Sequence, residues 1–183
     1  MKLAISEEQQ REMRHAHYDG APGVLVSALV WMAAALVCHR LGLKPAVGTL
    51  LIGGALIYPA SALLTKALGR PARTGKDNAL NQLGAASTIW LILCCAMAYG
   101  LYLSSPGVFF PAMMAVIGSR YLVFASMYGS PVYWLMGASL IVAGIGAGFA
   151  ALAPAIAAGV GALLELVFAV FMLSRAWRPV VRQ

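Results

Sequence analysis

Six apolar runs divide the chain, at 22–41, 46–67, 83–103, 107–127, 132–152 and 155–174. Each is close to the roughly 20 residues an α-helix needs to cross a hydrocarbon core of about 30 Å. The links between them are short: "GLKP", "LGRPARTGKDNALNQ", "SSPG", "YGSP" and "AP". Short links predict antiparallel neighbours, and so an all-α, up-down bundle of six transmembrane helices. Pro154 makes the last link so tight that the fifth and sixth runs could instead form one kinked or re-entrant unit. Ahead of the first run, residues 1–21 are polar. The stretch "SEEQQREMRHAHY" (6–18) predicts a short amphipathic helix, with Ser6 and Gln9 as a capping box and Gly20 as its stop. Its apolar stripe is too thin for deep insertion, which puts it on the membrane surface.

Composition agrees with the pattern. Of 183 residues, 61% are apolar and 10% charged, against about 25% charged in soluble domains. No soluble fold of this size hides so much apolar side chain. The expected organisation is a cytoplasmic segment at 1–21, one membrane domain at 22–174 and a basic cytoplasmic tail at 175–183. The net charge of +7 does not point to nucleic acid, because the basic residues gather between apolar runs. Lys2, Arg11, Arg14, Lys66, Arg70, Arg73, Lys76, Arg175, Arg178 and Arg182 fall on one side, and Arg40 and Lys44 on the other. By the positive-inside rule both termini are expected in the cytoplasm. "AALVC" (34–38) has Val37 where a lipoprotein cleavage box needs a small residue, so the first run is read as an uncleaved helix. Cys38, Cys94 and Cys95 lie inside apolar runs without metal spacing and read as small core residues.

The stretches "GAPGVLVSALVW" (20–31), "DNALNQLG" (77–84) and "IGSRYLVFASMYGSPVYW" (117–134) resemble a family of small bacterial membrane proteins known only as a domain of unknown function. The resemblance rests on Gly20, Trp31, Asn78, Leu80, Leu83, Gly84, Gly118, Tyr128, Ser130 and Tyr133. That family often has a histidine where this chain has Arg120. The resemblance implies a multi-pass protein of the bacterial inner membrane and supplies no activity.

Polar groups inside the runs are the candidates for chemistry. Glu165 stands near the middle of "ALLELVFAVFMLSRAW" (162–177), where an ionised side chain costs about 2.5–3.5 kcal/mol on insertion scales. Counted from the outer ends at 1.5 Å per residue, Glu165, Tyr58 and Arg120 lie about 15, 18 and 20 Å deep. The second, fourth and sixth helices could therefore present Tyr58, Arg120 and Glu165 in one layer. Three arrangements stay open. A Glu165–Arg120 pair could fix helix register. The same pair could line a wet cavity that gates a pathway, relays a proton or binds a polar solute. Or Arg120 could snorkel alone while a protonated Glu165 bonds elsewhere. His39, near the outer face, reads as a pH-sensing group or an interfacial anchor. His15 and His17 are two apart, a spacing unsuited to sharing one helical face, so no metal is expected. Asn78, Asn81 and Gln82 read as caps of the third span, and Trp31, Trp90, Trp134 and Trp177 as interfacial belt residues.

Small residues crowd 144–165, with Gly144 and Gly148, Ala147 and Ala151, and Ala157 and Gly161 each four apart. They predict close approach of the fifth and sixth spans, and a homo-oligomer stays open. No H-E-x-x-H, G-x-S-x-G or Walker A pattern occurs. An enzyme is thus the least expected class, and no cofactor is expected. The leading expectation is a membrane protein that binds or passes a small solute or ion through the Tyr58/Arg120/Glu165 layer. The alternative is a scaffold or subunit whose basic cytoplasmic face recruits a partner or anionic lipid.

Overall fold

In hydrocarbon a backbone must satisfy its own hydrogen bonds, and apolar runs of this length do so as helices. A computed structural model describes residues 6–176 and contains seven α-helices among them. The surface helix α1 is Glu7–His17, and the spans are α2 Ala21–Leu41, α3 Leu43–Ala67, α4 Leu80–Ser104, α5 Phe109–Tyr128, α6 Val132–Phe149 and α7 Pro154–Ala176. Six helices are long and apolar enough to cross a membrane. The last two runs are separate helices joined by a tight turn at 150–153, where Ala151 has φ +47°. Lys2, Trp177, Arg178 and Arg182, and with them most of the expected basic tail, lie outside the described residues.

α1 begins with the expected capping box: the Gln9 amide donates to Ser6 Oγ at 3.1 Å, and the Ser6 amide donates to Gln9 Oε1 at 3.3 Å. It ends sooner than Gly20. Tyr18, Asp19 and Gly20 all have positive φ, which breaks the chain between α1 and α2. Only Gly20 adopts that region freely. It also has a second reason to be glycine, since a Cβ there would collide with the Tyr133 hydroxyl.

Helix order in the bundle departs from a simple up-down succession. α2 packs most extensively on α7 and α3, and α5 on α6 and then α4. α6 and α7 touch more thinly, and α3 and α4 make no substantial contact. The link between α3 and α4, residues 68–79, has 12 residues. At about 3.3–3.6 Å per extended residue it can cross beneath the bundle rather than force a hairpin. α3 and α4 become outer helices with few buried residues, exposing Ile52, Leu63, Ile92 and Met97 to the surroundings that lipid would fill.

The small residues work between other partners than expected. A Cβ on Gly118 of α5 would stand 2.7 Å from the Gly137 carbonyl of α6, and one on Gly137 2.7 Å from the Gly118 carbonyl. Gly144 approaches the Pro111 carbonyl of α5 at 2.6 Å by the same measure. Gly161 of α7 makes room for the ring of Trp31 on α2. The fifth span's glycines therefore serve the fourth, and the sixth span's serve the first. Trp31 is not a belt residue: it is fully buried, 6.0 Å from Phe110 between ring centroids. Trp90 and Trp134 are exposed.

Gly118→Ala is expected to lower bundle stability by about 1–3 kcal/mol, because backbone lies where its methyl would go. Gly100→Ala, with nothing within 4 Å of the new Cβ, should leave the melting temperature unchanged or slightly raised. Thermal unfolding of both variants in one detergent checks the pair.

Candidate functional site

Glu165 lies eleven residues from either end of α7 and is 0% exposed. The Tyr121 hydroxyl of α5 donates to its Oε1 at 3.0 Å. The buried Ser27 of α2 adjoins both groups. Oε2 has no hydrogen-bond partner among the described residues. Three helices converge on one carboxyl group, and α2–α7 packing brings them there. Ala158 and Ala162 of α7 and Ala28 of α2 are buried, so small side chains let the backbones approach.

The core around this group is divided. One turn outward from Ser27 stands Trp31, and one turn outward from Glu165 stands Gly161, against which Trp31 packs. Phe109, Phe110, Met113 and Met114 continue that apolar half. Towards the face that carries α1 the core is built of tyrosine. Tyr121 and Tyr133 rings are 5.9 Å apart, Tyr133 and Tyr128 stack at 5.3 Å, and Phe124 meets all three edge-on. The Tyr133 hydroxyl donates to the Asp19 carbonyl at 2.6 Å.

The expected three-residue layer does not assemble. Tyr58 is 74% exposed on the outer helix α3. Arg120 points to α4, where its Nη2 donates to Thr88 Oγ1 at 3.1 Å and its guanidinium lies 5.3 Å from the Phe124 ring centroid. It makes no ion pair with Glu165, and its Nε has no partner among the described residues. The reason is azimuth. Successive helical residues diverge by about 100°, so when α5 turns Tyr121 into the core it turns Arg120 towards α4. Equal depth placed three groups on one level but on different walls. The pair that two of the three open arrangements need is not formed: Arg120 bonds Thr88 and Glu165 bonds Tyr121. His39 is exposed at the outer end of α2, beside a shallow, open groove shared with Ala155, Ile156 and Gly159 of α7. Tyr121 and Ser27 were not singled out from the sequence. Their signal was present: Ser27 lies one helical turn before Trp31, and Tyr121 directly follows Arg120.

Over the tyrosine half, α1 is fastened by polar contacts. Gln10 Nε2 donates to the Ser126 carbonyl at 2.7 Å, and Arg14 Nη1 to the Tyr128 carbonyl at 2.6 Å. From the 68–79 link, the Gly75 amide donates to Glu12 Oε1 at 2.6 Å and Asn78 Nδ2 to Glu12 Oε2 at 2.8 Å. Asn78 also caps α4, its Oδ1 accepting from the Leu80 amide at 3.0 Å. The Gly75 amide, and then the Asn78 amide, hold the Glu12 carboxyl below the usual carboxylate range. Burial holds the half-buried Asp19 above it, against the pull of Arg14, Arg175 and Arg70.

The model of a family of unknown function, DUF7010, matches residues 6–175. The chain belongs to that family. No curated protein and no solved structure matches it. Within this DUF7010 chain, the tyrosine half of the core and its α1 cover are built from segments far apart in sequence: the start of α2, the start of α4, and the α5–α6 corner.

Tyr121→Phe removes the hydrogen bond seen at Glu165 and should cost about 1–3 kcal/mol, the range for a buried polar group that loses its partner. Thermal unfolding in detergent reads it. A second expectation concerns α1. Glu12 has a lowered pKa in the folded protein, so its contribution is present above the usual carboxylate range and is lost as pH falls through the lowered value. Hydrogen exchange should show the protection of the Gly75 amide falling in acid, and falling at neutral pH in Glu12→Ala.

Proposed function

We propose that this multi-span membrane protein binds a proton or small cation at Glu165 and passes it on, with Tyr121 and Ser27 as the fixed partners of the site. One observation carries the reading: a fully buried carboxyl at mid-span whose Oε1 accepts from Tyr121 and whose Oε2 has no hydrogen-bond partner among the described residues. A bare carboxylate so placed is costly, and a single neutral hydroxyl does not offset that cost. A proton on Oε2, or a cation held between Oε2 and the Ser27 hydroxyl, does. Arg120 and Tyr58 lie outside this site, and on this reading they belong to the walls of the bundle rather than to a common layer.

The distribution of basic residues fits the same picture. Among the described residues Arg11, Arg14, Lys66, Arg70, Arg73, Lys76 and Arg175 lie on the α1 face, and Arg40 and Lys44 opposite. This supports a bacterial cytoplasmic membrane with the α1 face in the cytoplasm. A second reading, recruitment of a partner or anionic lipid, rests on the exposed Lys66, Arg73 and Lys76 of that face.

Dicyclohexylcarbodiimide reacts with protonated carboxyl groups in apolar surroundings, and it tests the site directly. In membranes, mass spectrometry should find the adduct on Glu165. The adduct should diminish as pH rises or as sodium is added, and vanish in Glu165→Gln. Reconstituted wild-type protein should dissipate an imposed proton or sodium gradient faster than Glu165→Gln. An unmodified Glu165 at every pH, together with equal fluxes, overturns the proposal.

A further inference from the structure

The two halves of the core differ in what they offer a proton or a hydrated ion, and that difference gives the site a direction. Outward from Glu165, α2, α5 and α7 close on one another through Trp31, Phe109, Phe110, Met113 and Met114, all buried. The Trp31 ring sits against Gly161, closely enough that a Cβ there would be 3.0 Å from it. Among those five side chains the one polar hydrogen is Trp31 Nε1–H, which has no partner among the described residues; Tyr102 of α4 stands at the half-buried margin, edge-on to Phe109. A charge would have no stepping stone through those five.

Towards α1 the hydroxyls continue. Ser27 and Tyr121 adjoin the carboxyl group, Tyr133 lies beside Tyr121, Tyr128 stacks on Tyr133, and the Tyr133 hydroxyl reaches the Asp19 carbonyl. At the mouth stands the Asp19 carboxyl, with Arg14 of α1, Arg70 of the 68–79 link and Arg175 of α7 acting on it, and with Tyr128 of α5 and Tyr133 of α6 beneath. The turn that bears Asp19 covers this end: Gly20 is pressed onto Tyr133 and Tyr128.

We infer that Glu165 exchanges with one side of the membrane only, the face that carries α1, along the tyrosine seam from Asp19, and that the Tyr18–Gly20 turn is the lid on that route. The inference rests on the reading of Glu165 as an ion- or proton-binding group and adds the side from which it is reached. The lid has the construction of a part that moves. Three successive residues hold left-handed backbone there, two of them not glycine, a conformation that persists only while its surroundings enforce it. Besides the contact of Gly20 with the Tyr133 and Tyr128 rings and the Arg70 guanidinium 4.8 Å over the Tyr18 ring, its attachments are single hydrogen bonds, Tyr133 to Asp19 and Tyr18 Oη to the Leu68 carbonyl at 2.6 Å, with the Ala72 amide on the Ala16 carbonyl at 3.1 Å just before the turn. The opposite half has side chains packed on side chains instead.

The test uses the full chain in liposomes, with orientation read by trypsin cleavage at the 68–79 link and with the lumen and the bath buffered separately. Carbodiimide modification of Glu165 is followed while the pH of one compartment is changed at a time. Modification is expected to follow the pH on the α1 side and to ignore the other. Tyr18→Phe, which frees the lid from its hydrogen bond to the Leu68 carbonyl and leaves the seam intact, should speed modification about fivefold, the factor by which one net hydrogen bond shifts an opening equilibrium. Modification that follows the far compartment, or both alike, overturns the inference while the reading of Glu165 stands. An unchanged rate in Tyr18→Phe, with the α1-side dependence kept, overturns the lid. Absence of any modification at every pH in both compartments overturns the reading itself.

Discussion

Hydrocarbon supplies no hydrogen bonds, and every costly group in this bundle is placed by that constraint. The backbone answers it with helices. Ser61, Thr65, Ser87, Ser119 and Ser139 answer it by donating to carbonyls three or four residues back in their own helix. Arg120 reaches across to Thr88, which in turn donates to the Gly84 carbonyl at 3.0 Å. Trp31 Nε1, Arg120 Nε and Glu165 Oε2 stay without a partner among the described residues, and of the three side chains Glu165 is the fully buried ionisable one. Tyr121 donates to one oxygen, and the other has no partner among the described residues, although the helices around it are packed closely enough to exclude it from any surface. A bundle that needed only stability would do as well with an apolar residue of similar volume there. The incomplete shell is the feature on which the proposed binding of a proton or cation rests.

The packing that encloses Glu165 is made by two helix pairs rather than by a ring of six equal helices. α5 and α6 approach until backbone meets backbone at Gly118 and Gly137. α2 and α7 approach until the ring of Trp31 fills the space that Gly161 leaves. α5 then joins the pairs, because Tyr121 reaches α7. The outer helices α3 and α4 each lean on one member, α2 and α5 respectively. Their mostly uncovered faces carry no polar cluster. This arrangement makes α5 the hinge between chemistry and scaffold: adjacent residues on it, Arg120 and Tyr121, face an outer helix and the central carboxyl.

Much of this was legible in the sequence, and the rest was hidden for a definite reason. The number of spans and their approximate lengths follow from hydrophobic run length, since an apolar run in lipid has no alternative to helix, while the ends at Leu43, Leu80 and Phe149 each differ from the run by three residues. The capping box of α1 follows from two residues three apart. Depth is equally legible, because 1.5 Å per residue fixes height along a helix. Facing is not. All six spans are apolar nearly all round, so no amphipathic stripe says which side of α3 or α5 turns inward. That is why Tyr58 and Arg120 could be set at the level of Glu165 yet stand on other walls. Neighbour choice was hidden similarly: glycines spaced by four announce a close approach without naming the partner. Trp31 reads as an interfacial ring until Gly161 is seen to make room for it.

The α1 cover differs in kind from the bundle it closes. Bundle contacts are apolar and buried, and opening them would expose backbone to hydrocarbon. The contacts of α1 are polar and sit where water can compete for each donor and acceptor, so each contributes only a modest net stabilisation. Glu12, the acceptor for both Gly75 and Asn78, is itself solvent-exposed. Opening free energies within one protein range from near zero up to the global value, and they follow local burial. By that rule the cover moves before any span does. Met13 and Ala16, the buried residues of α1, give it enough apolar attachment to return to the same seat. On the reading proposed above, the two ends of the site are controlled separately: the Tyr18–Gly20 turn sets when the carboxyl is reached, and Tyr121 and Ser27 set what it holds.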